Sequence, residues 1–321
     1  MLEISERSDK VRFVGVFERE EYERSVKKVW LVGAVYTLVF QLVATIAVFV
    51  EVTRHPSLLE GDKLDQIGSP YFIAVAAGLF VIYAASSPRV RHSFFQDGQN
   101  KMNWQIFLSL VALMLLAQLL FTLYSDGLES LLNQFGLTAM DELDSASAGS
   151  QTWSMLLYSA ILAPLTEEIV FRGFVLRSVQ PYGVSAAVLL SASLFGLYHL
   201  NIMQTPFAFA IGLILAIVAL RFGIKWSIAL HSFNNLVLGD GFGYLIDIVP
   251  KSMGSLLNVS LFIGGGLAGL WVLWQNRQKI KTWYEQHHLR RHEIKIVFFN
   301  WTGLVITAIS ILFMVGSLSS K

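Results

Sequence analysis

No charged residue stands between Val29 and Val50, between Trp104 and Ser125, or between Ser255 and Asn276. A helix rises about 1.5 Å per residue, so about 20 apolar residues cross the hydrocarbon of a bilayer. Within hydrocarbon every backbone N–H and C=O needs a partner, and a helix supplies them within one segment. The chain is 321 residues long, 54% hydrophobic and 15% charged, with a mean hydropathy of +0.56. That is far more apolar than an ordinary soluble domain. The expected class is an all-α, polytopic transmembrane helical bundle of eight to nine spans, with its functional core in helices 4–7.

The spans are expected at 29–50, 71–87, 104–124, 153–178, 184–200, 205–221, 225–239, 255–275 and 296–317. They divide the chain into a 1–28 lead-in, N-terminal helices with an acidic loop over 29–152, a core over 153–240, and C-terminal helices over 241–321. The first span follows a charge-rich start and has no small-residue cleavage site after it, so it reads as a retained anchor. Leu128, Leu131, Leu132 and Phe135 recur at helical spacing in the acidic loop, which suggests a segment lying on the membrane surface. The Ser/Ala/Gly run at 145–150 reads as a flexible connector. Helices 1 and 9 carry no motif and are expected at the periphery.

Lys and Arg concentrate in the N-terminus, 88–101, 172–177, 221–225 and 277–295. Threading nine spans places all of these on one side, which by the positive-inside rule is the cytosol. The expected location is the cell membrane, N-terminus cytosolic and C-terminus outside. The basic 277–295 loop, with Trp283 and Tyr284, reads as this topology signal or as a contact for anionic lipid. Gly265 and Gly269 form a Gly-x-x-x-Gly pair that suits close helix packing. Net charge is +1, so nothing points to nucleic acid. The absence of cysteine excludes disulfides, thiolate metal sites and a cysteine nucleophile.

Inside the fourth apolar run stand Glu167, Glu168 and Arg172. Ionisable groups at membrane depth are costly, face a bundle interior or wet cavity, and mark function. Successive helical residues point about 100° apart, so the two glutamates face different ways. Glu168 and Arg172 are i,i+4, the favourable order for an ion pair. Glu167 is left without a local partner and suits a general base. The plainer alternative makes all three interfacial charges, but it does not explain two acids on the membrane side of the arginine.

His199 and His231 are the two histidines in apolar spans. His55, His92, His287, His288 and His292 are expected in polar loops. Phe195 and His199, and likewise His231 and Asn235, share a helical face at i,i+4. Asn234 and Asn235 need hydrogen-bond partners in hydrocarbon, as catalytic groups or as interhelical glue. Two histidines and one carboxylate are also a zinc set, so a zinc site from Glu167, His199 and His231 stays open. The chain has no His-Glu-x-x-His motif. On straight helices His199 lies deeper than His231, which would keep them apart.

In order, Glu167-Glu168-Ile169-Val170-Phe171-Arg172, Phe195-Gly196-Leu197-Tyr198-His199 and His231-Ser232-Phe233-Asn234-Asn235 resemble the motifs of the CPBP membrane proteases. That family includes the type II CAAX prenyl endopeptidases and bacterial relatives grouped as bacteriocin self-immunity (Abi) proteins. The resemblance covers about 153–240. It implies a metal-independent glutamate-type intramembrane endopeptidase with no cofactor. Glu167 would be the base, acting on a water that His199 positions. His231 and Asn235 would stabilise the oxyanion, and Glu168 and Arg172 would orient the site.

The implied partner is a peptide or protein substrate reaching the site from the cytosol or the bilayer. The sequence does not set the oligomeric state. One alternative is a non-catalytic membrane scaffold or immunity protein whose polar cavity binds a partner. Another is a proton-coupled transporter, which the lack of an internal repeat disfavours.

Overall fold

The computed structural model describes residues 16–141, 143 and 150–320. The beginning of the basic lead-in (1–15), Glu142, Asp144 and most of the 145–150 connector lie outside these residues. The helices are α1 (Val16–Arg54), α2 (Ser69–Ala85), α3 (Pro88–Ser93), α4 (Trp104–Asn133), α5 (Trp153–Tyr182), α6 (Val184–Tyr198) and α7 (Gln204–Phe222). They continue with α8 (Ile224–Phe233), α9 (Lys251–His287), α10 (Arg291–Phe298) and α11 (Trp301–Gly316). One short antiparallel pairing joins β1 (Leu137–Thr138) to β2 (Ser319–Ser320).

Five helices are long and apolar enough to cross a membrane: Arg19–Arg54 of α1, α4, α5, α7 and α9. The pair α10–α11, bent by 58°, makes a sixth if it is one broken span. α2 and α6 are shorter apolar helices. Only 11% of the apolar window of α9 is buried, and Leu256, Ile263, Leu267, Trp271 and Trp274 point outward. Exposed apolar surface on that scale suits hydrocarbon rather than water. The bundle is therefore a helical membrane architecture.

Local chemistry sets several helix starts. Asn103 accepts a hydrogen bond from the Ile106 N–H, Thr152 from Met155 and Asn300 from Gly303, each capping an orphan donor. Between α7 and α8 the chain turns on Gly223, whose φ of 91° lies where glycine alone is unstrained.

The glycine pair acts within the chain. A Cβ on Gly269 would come 2.5 Å from the Ala112 carbonyl oxygen, and one on Gly265 would come 2.4 Å from Leu115 Cδ1. Both residues let α9 lie close along α4. Gly269→Leu should force these helices apart and cost about 1–3 kcal/mol. A lowered melting temperature in detergent would register the loss, and an unchanged one would remove the glycine from the packing account.

The structure corrects four expectations. Leu128, Leu131 and Leu132 do not belong to a separate surface segment but continue α4 to Asn133. Leu128 and Leu132 pack against Ala139, Leu143 and Met203. The basic stretch is not a loop from 277, because α9 runs on to His287 and carries Arg277, Lys279, Lys281, Trp283 and Tyr284. His92, His287 and His292 sit not in loops but on α3, α9 and α10. Finally, α1 is no peripheral helix, since its Tyr36 is fully buried and meets Phe171 edge-on at 6.4 Å.

Candidate active site

α5 holds the charged motif, and its local form is unusual. Tyr158–Leu162 and Glu168–Leu176 are π-helical, flanking the α-helical turn Ala163–Glu167. Pro164 has no N–H for the ladder. Just before it, the Ala163 N–H bonds to Tyr158 O, five residues back. Widened turns of this kind recur at functional sites. A third π segment, Asn234–Gly241, continues α8 directly and begins three residues after His231.

Glu168 is the structural centre. It is completely buried. Arg172 Nη1 donates to its Oε1 at 2.8 Å, and His231 Nδ1 lies 2.9 Å from the same oxygen. Its Oε2 accepts from the Ser227 hydroxyl. Paired with Arg172, the carboxylate has only acceptor oxygens, so Nδ1 of His231 is the donor. Arg172 is also fully buried, donates to the Gly212 carbonyl at 3.3 Å, and lies 4.4 Å over the Phe195 ring. Four helices, α5, α6, α7 and α8, are tied through this one ion pair.

Glu167 sits beside the network rather than in it. Its Oε2 is 3.6 Å from His231 Nε2, and no closer ion pair or hydrogen bond to it is found among the described residues. The neighbouring Thr166 hydroxyl is buried and has no hydrogen-bond partner among the described residues. Tyr36, Tyr158 and Tyr198 are near enough to feel the charge of Glu167. Tyr36 and Tyr198 lie 5.5 Å apart, and Tyr158 stacks on Tyr71 at 4.5 Å. One wall of the glutamate's surroundings is thus aromatic.

Both histidines pack on Phe195 despite the depth mismatch expected on straight helices. Phe195 lies between them, edge-on to His199 at 5.1 Å and to His231 at 5.6 Å. His199 follows the last residue of α6, and its Nδ1 donates to the Phe195 carbonyl at 2.8 Å. In the neutral ring, Nε2 is then an acceptor. Leu200, next in the chain, has φ 49°, a left-handed conformation unusual for leucine. Such outliers cluster at functional sites. No hydrogen bond or ion pair joins His199 to Glu167 among the described residues.

Asn235 stands one turn beyond His231. Its amide donates to the Ser159 carbonyl at 3.0 Å, and its Oδ1 accepts from Asn234. The amide carries two N–H groups, so one remains for another acceptor. Among the described residues, no group of three or more His, Asp or Glu is arranged to hold a metal ion.

Sequence reasoning missed two residues. Tyr36 came from a helix without a motif, and only a tertiary contact reveals it. Ser227 had a usable signal, since it lies one turn before His231 on an apolar helix. Ser227→Ala should cost about 1.5–3 kcal/mol, the range for a hydrogen bond to a charged group. Thermal unfolding would show it as a drop of a few degrees, and no drop would mean that the hydroxyl is not holding the carboxylate.

Residues 149–237 match the family model described as type II CAAX prenyl endopeptidase Rce1-like. The matched stretch contains all three motifs, and it supports the resemblance drawn from them to the CPBP and CAAX proteases. In general terms it implies a protease, a hydrolase of peptide bonds. No curated protein and no solved structure matches the chain.

Proposed function

We propose that the chain is a metal-independent intramembrane endopeptidase in which Glu167 activates a water to attack the scissile carbonyl of a membrane-associated peptide or protein. The observation that carries this reading is the division between the two glutamates. Glu168 is held by Arg172, His231 and Ser227, while among the described residues the one polar contact of Glu167 is with the far nitrogen of His231 at 3.6 Å. A carboxylate without a tight structural partner is free to take a proton.

In this mechanism Glu167 removes a proton from water as it attacks, and later returns it to the leaving amine. His199, bonded to Phe195 O through Nδ1, accepts a hydrogen bond from the water through Nε2 and fixes its lone pair. Asn235 keeps one amide N–H for the developing oxyanion. His231, when doubly protonated, adds an N–H at Nε2. Glu168 and Arg172 are positioning residues. The concentration of Lys and Arg in the segments before and between the apolar runs supports a cytosolic N-terminus in a cell-membrane protein, and the substrate enters from the cytosol or the bilayer.

Trapping tests this reading. Purified protein carrying Glu167→Gln should retain a peptide from a membrane extract. Wild-type protein should cut that captured peptide, with a chelator present. If wild-type protein leaves it intact, the polar cluster is a binding pocket and the hydrolase reading fails. If the chelator stops cleavage, the metal-free mechanism fails.

A further inference from the structure

Two helices far apart in sequence bring cations from the edges of their apolar runs to one place. After Lys28 the chain carries no charge until Glu51, and after Lys295 none until Lys321. Lys27 and Lys295 both line a pocket of about 270 Å³ between the start of α1 and the α10–α11 bend. Each apolar run begins at this pocket, which puts it at the boundary between headgroups and acyl chains.

The bend that shapes the pocket is fastened. Trp30 Nε1 of α1 donates to the Val297 carbonyl at 2.9 Å, and Asn300 Nδ2 donates to the Ile296 carbonyl at 2.9 Å. Carbonyls near the helix break are thereby satisfied, and α10 is held against α1. Within the pocket Arg19 pairs with Glu23 at 3.1 Å, so the one acid of the lining is answered locally. Lys27 and Lys295 have no carboxylate partner among the described residues. Trp301, 78% exposed, stands at the rim where tryptophans anchor to the interface.

We propose that this pocket binds the phosphate-bearing headgroup of an anionic phospholipid, with Lys27 and Lys295 as its donors. The ammonium groups supply charge-assisted hydrogen bonds to phosphate oxygens. Basic pockets between membrane helices at the headgroup level are suited to such ligands. Trp301 lies along the glycerol and upper acyl chain. The assignment is independent of the hydrolase reading, because no residue of the catalytic cluster takes part.

Native mass spectrometry of the full detergent-solubilised chain tests it. The probes are phosphatidylglycerol, phosphatidylcholine with the same acyl chains, and inorganic phosphate. Wild-type protein should retain one phosphatidylglycerol more than a Lys27→Gln/Lys295→Gln variant, with affinity lowered about thirtyfold in the variant. Lys279→Gln/Lys281→Gln, on α9 outside the pocket, should bind as wild type. Equal retention by wild type and the pocket variant would overturn the site, as would equal retention of phosphatidylcholine. Displacement of the lipid by inorganic phosphate at matched concentration would show a free-anion site and overturn the lipid assignment.

Discussion

Arg172→Met should destabilise the protein by about 3–5 kcal/mol, the usual cost of removing one partner from a buried ion pair. Its guanidinium and the Glu168 carboxylate are both inaccessible to solvent, so nothing outside can compensate the charge left behind. His231 and Ser227 would still contact Glu168, which favours the lower part of that range. The arginine also packs on Phe195 and holds the Gly212 carbonyl, so α5, α6 and α7 would lose a common anchor. The expected result is a large fall in melting temperature and in folded yield. Adding Glu168→Gln to Arg172→Met should restore part of the loss, because the orphaned charge is then removed. If the single variant melts like wild type, the pair does not organise the site.

Glu167→Gln should give the opposite pattern, with cleavage lost and the fold kept. General-base catalysis contributes about 10²–10⁴-fold, so the rate should fall by at least that order. The side chain keeps its shape and gives up only a 3.6 Å contact with His231, so stability should change little. Glu167→Asp keeps the carboxylate but withdraws it by one methylene, and its rate should lie between the two. Cleavage assays paired with thermal melts on the same preparations separate catalysis from folding. A Glu167→Gln protein that cuts at the wild-type rate would end the general-base assignment.

The contrast between the two glutamates was legible because helical geometry is local. Glu168 and Arg172 stand at i,i+4, and the 2.8 Å bond between them required no tertiary knowledge. His231 and Asn235 were legible as polar groups with no business in hydrocarbon unless partnered. Their partners were not legible. Ser159 and Glu168 reach them across helices, and sequence spacing carries no signal for that. The convergence of His199 and His231 on Phe195 depends on how short helices pack, which straight-helix depths misjudged.

Two misreadings share a cause, which is treating polarity as the end of a helix. From Leu270 to Arg290 there is no glycine or proline, and Gln, Lys, Arg and Glu are good helix formers. α9 therefore continues past the apolar run. Likewise α4 does not stop at Asp126, because Leu128 and Leu132 find Met203 in a later segment. The π-helical turns around Pro164 left no pattern beyond the proline itself.

A single-turnover cleavage in heavy-oxygen water, followed by mass spectrometry of the new C-terminal carboxylate, tests the central claim most directly. If Glu167 activates a water, the first-turnover product carries one solvent oxygen, and Glu167→Gln protein yields no product on that timescale. A first-turnover product bearing only light oxygen would mean that a side-chain oxygen attacked the carbonyl, and the account of Glu167 as a base would be wrong.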